Sequence, residues 1–284
     1  MHPIPRRPAH RSVPHQSCVA GHFGELVQGR LGPRGPVVLI TLPCRALAVR
    51  AVWQPGGGPG LWQGARPVLS RAQLLALHGA VRGGAPGGRL RILAGMVPGG
   101  GAGASTAALL AAMRAMARAP MSPRAEAALC LALEGASDPL MHPAPERILW
   151  APRVGRVLAP LPPLPAFEVL GGFAGPGRRT DPVDMRFADV SDLVSAWRRG
   201  PGRAELAALA SESARRNHAL RGGPDPAVLG RIGPGLGALG VVAAHTGTAL
   251  GLLFAPGTVP GGAQAALRAA GLKRIVRFKV GGEG

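Results

Sequence analysis

A glycine-rich segment between a predicted strand and a predicted helix constrains the fold of this 284-residue chain most. The segment runs through Pro98, Gly99, Gly100, Gly101, Ala102, Gly103, Ala104, Ser105, Thr106 and Ala107. Residues 89–94 (RLRILA), before it, alternate polar and apolar side chains, which is typical of a half-buried strand. Residues 105–119, after it, are rich in Ala, Leu and Met and predict a helix. We therefore expect a strand–loop–helix connection.

Such a loop has the properties of an anion-binding site. Glycine adopts positive φ and lets the backbone approach a ligand closely. The amides at a helix N-terminus are unpaired, and the helix dipole favours negative charge there. Ser105 and Thr106 can cap the helix or offer hydroxyls to phosphate or Mg²⁺. The segment lacks the Lys of a P-loop, and no acidic residue of a dinucleotide fingerprint follows it. We predict a phosphate-binding loop of another kind; a flexible turn before a helix is the alternative.

The composition predicts a globular, soluble and cytoplasmic protein. Hydrophobic residues make up 46% of the chain and charged residues 17%, which does not suit a disordered protein. No G-X-Y period runs through the glycines, so collagen is excluded. No apolar run reaches the ~18 residues of a membrane span, and the basic start has no apolar core like that of a secretory signal. The three cysteines are too far apart for a disulfide framework or a zinc site.

The net charge of +19 does not by itself indicate a nucleic-acid partner. Only two of the 33 basic residues are lysines, and Tyr is absent, which we interpret as the effect of GC-rich codons. The arginines are scattered, with few aromatic residues between them to stack bases. We expect no nucleic acid and no membrane among the partners. An anionic small-molecule ligand fits the same charge, and the oligomeric state is left open.

The pattern of strands and helices predicts an α+β protein of two domains. Residues 1–17 are rich in Pro, Arg and His and predict a disordered basic lead-in. Residues 160–165 (PLPPLP) predict a boundary, because four prolines in six positions stop both helix and sheet. The domains are then 18–159 and 166–284. Besides the elements around the glycine loop, the sequence predicts strands at 37–52, 167–173, 241–245, 249–254 and 274–280 and helices at 123–134, 203–220, 226–239 and 262–270.

Four segments in order resemble the GHMP kinases (galactokinase, homoserine, mevalonate and related kinases). Residues 98–107 resemble the second motif of that superfamily, P-x-x-x-G-[LM]-[GA]-S-S-[STA]-A. Residues 20–29 (AGHFGELVQG) are similar to the P-G-[ST]-x-G-E-L-[LV]-Q-G signature of its L-threonine kinase branch. Residues 240–254 are similar to the third motif of that branch, and residues 213–218 (SARRNH) resemble its S-A-x-x-N-Q helix. Ala20, His22 and Ala104 depart from these patterns.

The resemblance, which covers about residues 18–280, implies a fold and an activity. The fold is an N-terminal domain with a left-handed βαβ unit followed by a ferredoxin-like C-terminal domain. ATP would lie with its phosphates over Gly99–Thr106, and Mg²⁺ would accompany it. The implied reaction is phosphorylation of the L-threonine hydroxyl, which supplies the aminopropanol linker of cobalamin. A GHMP kinase for another small alcohol, such as homoserine or a sugar, and a non-catalytic nucleotide-binding relative remain alternatives.

The resemblance also implies roles for two of the 14 acidic residues. Asp138 matches an Asp of the branch and is predicted to act as the base, or to orient the acceptor hydroxyl. Glu134, at the predicted end of a helix, is predicted to bind Mg²⁺ together with Ser105. The alternative for Asp138 is a turn residue before Pro139, and the alternative for Glu134 is a solvated helix end.

Substrate contacts are predicted around two of the motifs. The candidates are Gly24, Glu25, Thr180, His245, Gly247 and Thr248. Glu25 is predicted either to bind the amino group of an amino-acid substrate or only to stabilise its own loop. A lone His after a buried strand, as at His245, is more often a structural hydrogen-bonding residue than a catalyst. Arg178 or Arg179 can bind a carboxylate or phosphate through two hydrogen bonds, or the segment is a solvated loop.

Overall fold

The computed structural model describes residues 15–84, 87–178 and 181–282. The described strands are β1 (His15–Arg30), β2 (Val37–Gln54), β3 (Gly60–Gln63), β4 (Arg89–Ala94), β5 (Ile148–Ala151), β6 (Arg156–Pro160), β7 (Phe167–Phe173), β8 (Gly240–Ala243), β9 (Ala249–Phe254) and β10 (Lys273–Val280). The described helices are α1 (Arg71–Arg82), α2 (Ala104–Met116), α3 (Pro123–Glu134), α4 (Ser191–Arg198), α5 (Arg203–Arg221), α6 (Ala227–Ile232) and α7 (Ala263–Ala269). The α+β prediction is confirmed.

The strands form one hydrogen-bonded path in the order β10-β7-β9-β8-β1-β2-β4-β3, and β5 joins both β2 and β6. The pairs are antiparallel apart from the parallel pair β3–β4. Strand β1 connects the two halves of the chain, because Glu25 is paired with Ala243 of β8. The proposed boundary at residues 160–165 lies between β6 and β7, and the division into two domains stays a prediction.

The burial of β2 follows its sequence. Residues 37–42 (VVLITL) are all buried, as expected of an apolar run covered on both faces. From residue 46 onwards, buried positions alternate with exposed or half-buried ones, as expected of a strand with one face towards solvent. Helix α2 packs on β1 and β2, and its buried alanines, with Leu109, Leu110 and Met113, form the centre of the main core.

Most of the predicted elements are confirmed within a few residues, and two differences have physical reasons. Residues 15–17, predicted to belong to the lead-in, are part of β1, because they pair with residues 51–53 of β2; the rest of the lead-in lies outside the described residues. The predicted helix 226–239 ends at Ile232 and gives way to a single 3₁₀ turn at Pro234–Leu236, because Pro234 has no amide to continue it.

Six described elements were not predicted from the sequence: the 16-residue strand β1 and the shorter β3, β5, β6, α1 and α4. Helix α1 carries a readable signal, since Ser70 accepts a hydrogen bond from Gln73 N while the Gln73 side chain accepts one from Ser70 N. This capping box marks a helix start in sequence. No helix in the described part of the chain combines the length and hydropathy needed to cross a membrane.

Candidate functional site

The glycine loop joins β4 to α2, as its sequence predicts. Gly103 lies directly before the helix with φ of 69°, a left-handed conformation that favours glycine. It has no side chain with which to cap the helix. The first amides of α2 therefore remain available to a ligand, and the helix dipole adds positive potential there.

Strand β1 holds one side of the loop. The His22 amide donates to the Ala102 carbonyl at 3.1 Å, and the Gly24 amide donates to the Gly101 carbonyl at 3.0 Å. Gly24 has φ of 69°, and a Cβ there would lie 2.8 Å from the backbone of residues 243–244. The motif at residues 20–29 therefore contacts the glycine loop directly.

The turn between β8 and β9 holds the other side of the loop. The amides of Thr248 and Ala249 both donate to the Gly100 carbonyl at 2.9 Å. A Cβ on Gly247 would overlap the backbone of Gly101. Gly247 and Thr248, which were predicted to bind substrate, therefore support the loop through their backbones.

The glycine loop forms part of the wall of a cavity of about 830 Å³. The remaining wall comes from β1, the start of α1 and the residues before it, the end of α3 and the segment after it, and three residues of the C-terminal half. The lining residues are His22, Glu25, Pro67–Ser70, Ala72, Gln73, Ala76, Pro98, Gly99, Gly101–Thr106, Ala132–Glu134, Ala136–Asp138, Arg178, Pro182 and Thr246. Of the predicted nucleotide loop, Gly100 is not in this wall; it packs against the ring of Phe173.

The structure brings the two predicted magnesium ligands together. The Ser105 hydroxyl donates a hydrogen bond to Glu134 Oε1, and both residues lie in the cavity wall. Gln73 Nε2 donates to the same carboxylate oxygen at 3.2 Å. Hydroxyl and carboxylate oxygens are the ligand types that Mg²⁺ prefers.

Asp138 faces the same cavity and is paired with His22. His22 Nε2 lies 3.4 Å from Asp138 Oδ2, where the His22 side chain is 3% exposed and the Asp138 side chain 26%. The Asp138 amide donates to Thr106 Oγ1 at 3.2 Å, which fixes the carboxylate near the start of α2. In the sequence, His22 stands out only as a departure from a motif, so its pairing with Asp138 was not predicted.

Electrostatics make this pair an ion pair at neutral pH. Burial alone lowers the pKa of His22, but Asp138 and then Glu25 outweigh it and raise that pKa from 6.5 to about 9. Burial likewise raises the pKa of Asp138, but His22, with help from Thr106 and Arg153, holds it below its usual value. Asp138 is therefore held ionised at the cavity wall.

A second buried network surrounds Glu25. Its carboxylate accepts a hydrogen bond from the His245 amide at 3.2 Å and lies 3.5 Å from His245 Nδ1. His245 Nε2 is 2.9 Å from the Ser213 hydroxyl, and Asn217 donates to the His245 carbonyl at 3.2 Å. The SARRNH segment and the third motif thus fix the position of Glu25.

Single ligand atoms of His22, Glu25 and Asp138 lie within 4.8 Å of one another. With the pKa of His22 at about 9, its ring carries a proton on each nitrogen at neutral pH. We therefore interpret the cluster as an ion-pair network.

A smaller pocket of about 140 Å³ adjoins the cavity and shares Arg178 and Thr246 with it. Its lining residues are Arg178, Asp181, Asp184, Arg186, Arg221, Gly222–Pro224 and Ala244–Gly247. His245 and Gly247 were predicted to bind substrate and lie here. The predicted contact Thr180, together with Arg179, lies outside the described residues.

Sequence comparison gives no match to a protein-family model and none to a curated protein. Solved structures do match. A mevalonate kinase from methicillin-resistant Staphylococcus aureus is 16% identical with a TM-score of 0.62, over 96% of this chain and 100% of that one. A putative homoserine kinase from Listeria monocytogenes is 15% identical with a TM-score of 0.60, over 96% and 98%.

A 4-(cytidine 5'-diphospho)-2C-methyl-D-erythritol kinase is 22% identical with a TM-score of 0.58, over 94% of this chain and 100% of that one. These structural neighbours are GHMP kinases. At such low identity the likeness shows the fold and does not identify the substrate. The chain therefore has the α+β fold of the GHMP kinases.

Proposed function

We propose that this protein is an ATP-dependent kinase that transfers the γ-phosphoryl group to the hydroxyl of a small molecule. One observation carries the proposal. The uncapped start of α2, the Ser105–Glu134 pair and the ionised Asp138 all face a single cavity. Phosphoryl transfer requires a phosphate cradle, a magnesium site and a group that orients the acceptor.

The residues present fit Mg²⁺ and a nucleotide. The cavity of about 830 Å³ lies in the range of small-molecule sites. Pro67, Val68 and Leu69 offer an apolar wall for a base, whereas Gly101 and Gly103 present bare backbone for the phosphates. Ser105 and Glu134 would hold Mg²⁺. When bound, Mg²⁺-ATP supplies the phosphoryl group, and the metal neutralises charge that develops in the transfer.

Asp138 is the proposed partner of the acceptor hydroxyl. With its pKa lowered, it orients the hydroxyl by accepting a hydrogen bond and takes the proton as the oxygen bonds to phosphorus. A strong base is not required, because phosphoryl transfer depends mainly on positioning and charge stabilisation. His22 acts through Asp138 as a positioning residue, since its ring lies 3.4 Å from that carboxylate.

L-Threonine is the proposed acceptor, with O-phospho-L-threonine as the product used for the aminopropanol linker of cobalamin. The support is the AGHFGELVQG segment at residues 20–29, which resembles the signature of the L-threonine kinase branch. The second candidate is a kinase for another small alcohol. The structural neighbours titled mevalonate and homoserine kinase favour testing those acceptors as well.

ADP release from Mg²⁺-ATP tests the proposal. The purified protein is assayed with L-threonine, L-serine, L-homoserine, mevalonate and galactose, and the Asp138→Asn variant controls for contaminating kinases. We expect stimulation by L-threonine that the variant lacks. Stimulation by another alcohol alone would retain the kinase and discard L-threonine. Nucleotide binding without ADP release from any acceptor would refute catalysis and favour a nucleotide-binding protein.

A further inference from the structure

The smaller pocket has charged walls of both signs. Arg178, Arg186 and Arg221 contribute positive charge, and Asp181 and Asp184 contribute negative charge. Its volume of about 140 Å³ has room for roughly ten water-sized groups. Asp184 pairs with both Arg221 and Arg186, whereas no ion pair joins Arg178 or Asp181 to another side chain in the described parts of the chain. A small molecule with one charge of each sign would match these two residues.

Arg221 gives this pocket a fixed wall. Its Nη1 lies 2.9 Å from Asp184 Oδ2 and donates to the Arg186 carbonyl at 2.6 Å. The guanidinium also stacks over the ring of Phe187, 4.3 Å from its centre. These three contacts hold Arg221 in place before any ligand binds, which reduces the entropic cost of binding.

Arg178 lies where the two cavities meet. Its amide donates to the Gly99 carbonyl of the glycine loop at 2.8 Å. Its Nη1 would be 3.8 Å from a Cβ on Gly223, in the wall of the smaller pocket. Within the described parts of the chain, no carboxylate lies within 4.0 Å of its guanidinium nitrogens. A cation there is available to a ligand anion.

Asp181 offers the complementary charge. One carboxylate oxygen, Oδ1, accepts a hydrogen bond from the Val183 amide at 3.0 Å. The residue is exposed, and its other oxygen can accept further bonds. The nearby end of α5, at Arg221, adds negative potential from the helix dipole, which favours a bound cation.

We infer that the smaller pocket binds the zwitterionic head group of an α-amino acid, with the carboxylate on Arg178 and Arg186 and the ammonium on Asp181. This inference rests on the proposed function, because the hydroxyl of the amino acid would then reach towards Asp138 across the boundary that Arg178 and Thr246 form. The acceptor class is therefore hydroxy-amino acids rather than sugars or hydroxy acids without an amino group.

Matched acceptors test the pocket. L-Threonine is compared with N-acetyl-L-threonine, which lacks the ammonium, and with L-threoninamide, which lacks the carboxylate. We expect each derivative to lower kcat/KM by about 10- to 100-fold, the scale of a lost charge-assisted hydrogen bond, while the KM for ATP stays unchanged. Equal use of all three acceptors would overturn the inference and leave the kinase intact.

Variants assign the two charges. Asp181→Asn is expected to abolish the discrimination against N-acetyl-L-threonine, and Arg186→Gln to reduce the discrimination against L-threoninamide. Arg231→Gln is the matched control, because Arg231 is an exposed arginine of α6 that lines neither cavity. Discrimination that is unchanged in both pocket variants would contradict the assignment.

Calorimetric titration with the same three ligands separates this inference from the proposed function. If no acceptor stimulates ADP release, the proposed kinase fails. In that case, the pocket would still be supported if L-threonine binds while N-acetyl-L-threonine and L-threoninamide do not. Absence of L-threonine binding at millimolar concentration, with or without nucleotide, would refute it.

Discussion

His22 is expected to make the stability of the fold depend on pH above neutrality. The residue is 2% exposed, and its two ring nitrogens lie 3.4 Å from Asp138 and 3.8 Å from Glu25. Burial opposes its charge, but the two carboxylates outweigh burial and raise the pKa from 6.5 to about 9. The folded protein therefore binds this proton more tightly than the unfolded chain.

A raised pKa in the folded state stabilises it at low pH. The contribution is present in full below pH 6.5 and is lost as the pH rises through about 9. At about 1.4 kcal/mol per pKa unit, the shift corresponds to about 3 kcal/mol. Most of this, about 2 to 3 kcal/mol, disappears between roughly pH 7 and pH 10, which is equivalent to about 1 M urea in the unfolding midpoint.

Urea unfolding at several pH values between 7 and 10, at constant ionic strength and with reductant, measures this loss. The His22→Gln variant removes the titrating group, so its free energy of unfolding is expected to fall by about 2 to 3 kcal/mol less than that of the parent protein across that range. His78→Gln is the control, because His78 is also buried but packs against Trp53. Parallel pH profiles for the parent and His22→Gln would refute the reasoning.

Three further outcomes follow from the site. Asp138→Asn is expected to lower turnover at least ~100-fold, the scale of a lost acid–base or orienting group, with nucleotide binding retained; near-normal turnover would remove Asp138 from the mechanism. Ser105→Ala and Gln73→Ala are each expected to raise the Mg²⁺ concentration for half-maximal activity about 10-fold, because both side chains contact Glu134. The KM of the acceptor is expected to change less. A larger change in the KM of the acceptor than in the Mg²⁺ requirement would contradict the magnesium assignment. Gly247→Ala is expected to weaken nucleotide binding measured by titration, since its Cβ would overlap Gly101, whereas the control Gly64→Ala has open space there and should bind normally.

Local sequence patterns were sufficient for much of the fold. The apolar run and alternation in β2, the Ala-rich α2, and α3 from Pro123 to Glu134 all lie where the patterns predict them. These elements are long or strongly periodic, so their own residues specify them. Strand β3 and strand β5 have four residues each, which is too short for a periodic signal, and they form because neighbouring strands pair with them.

The sequence by itself determined the strand–loop–helix unit, the glycines that leave the start of α2 uncapped, and the types of side chain available for phosphate and metal. Tertiary structure alone decided which of them meet. Ser105 contacts Glu134 from 29 positions away, and Glu25 contacts His245 from 220 positions away. The sheet brings β1 beside β8 and so places Glu25 against His245. The hydrogen bond from the Asp138 amide to Thr106 of α2 places Asp138 against His22. No local pattern encodes such pairs, because the energy that forms them comes from burying the faces of distant elements against one another.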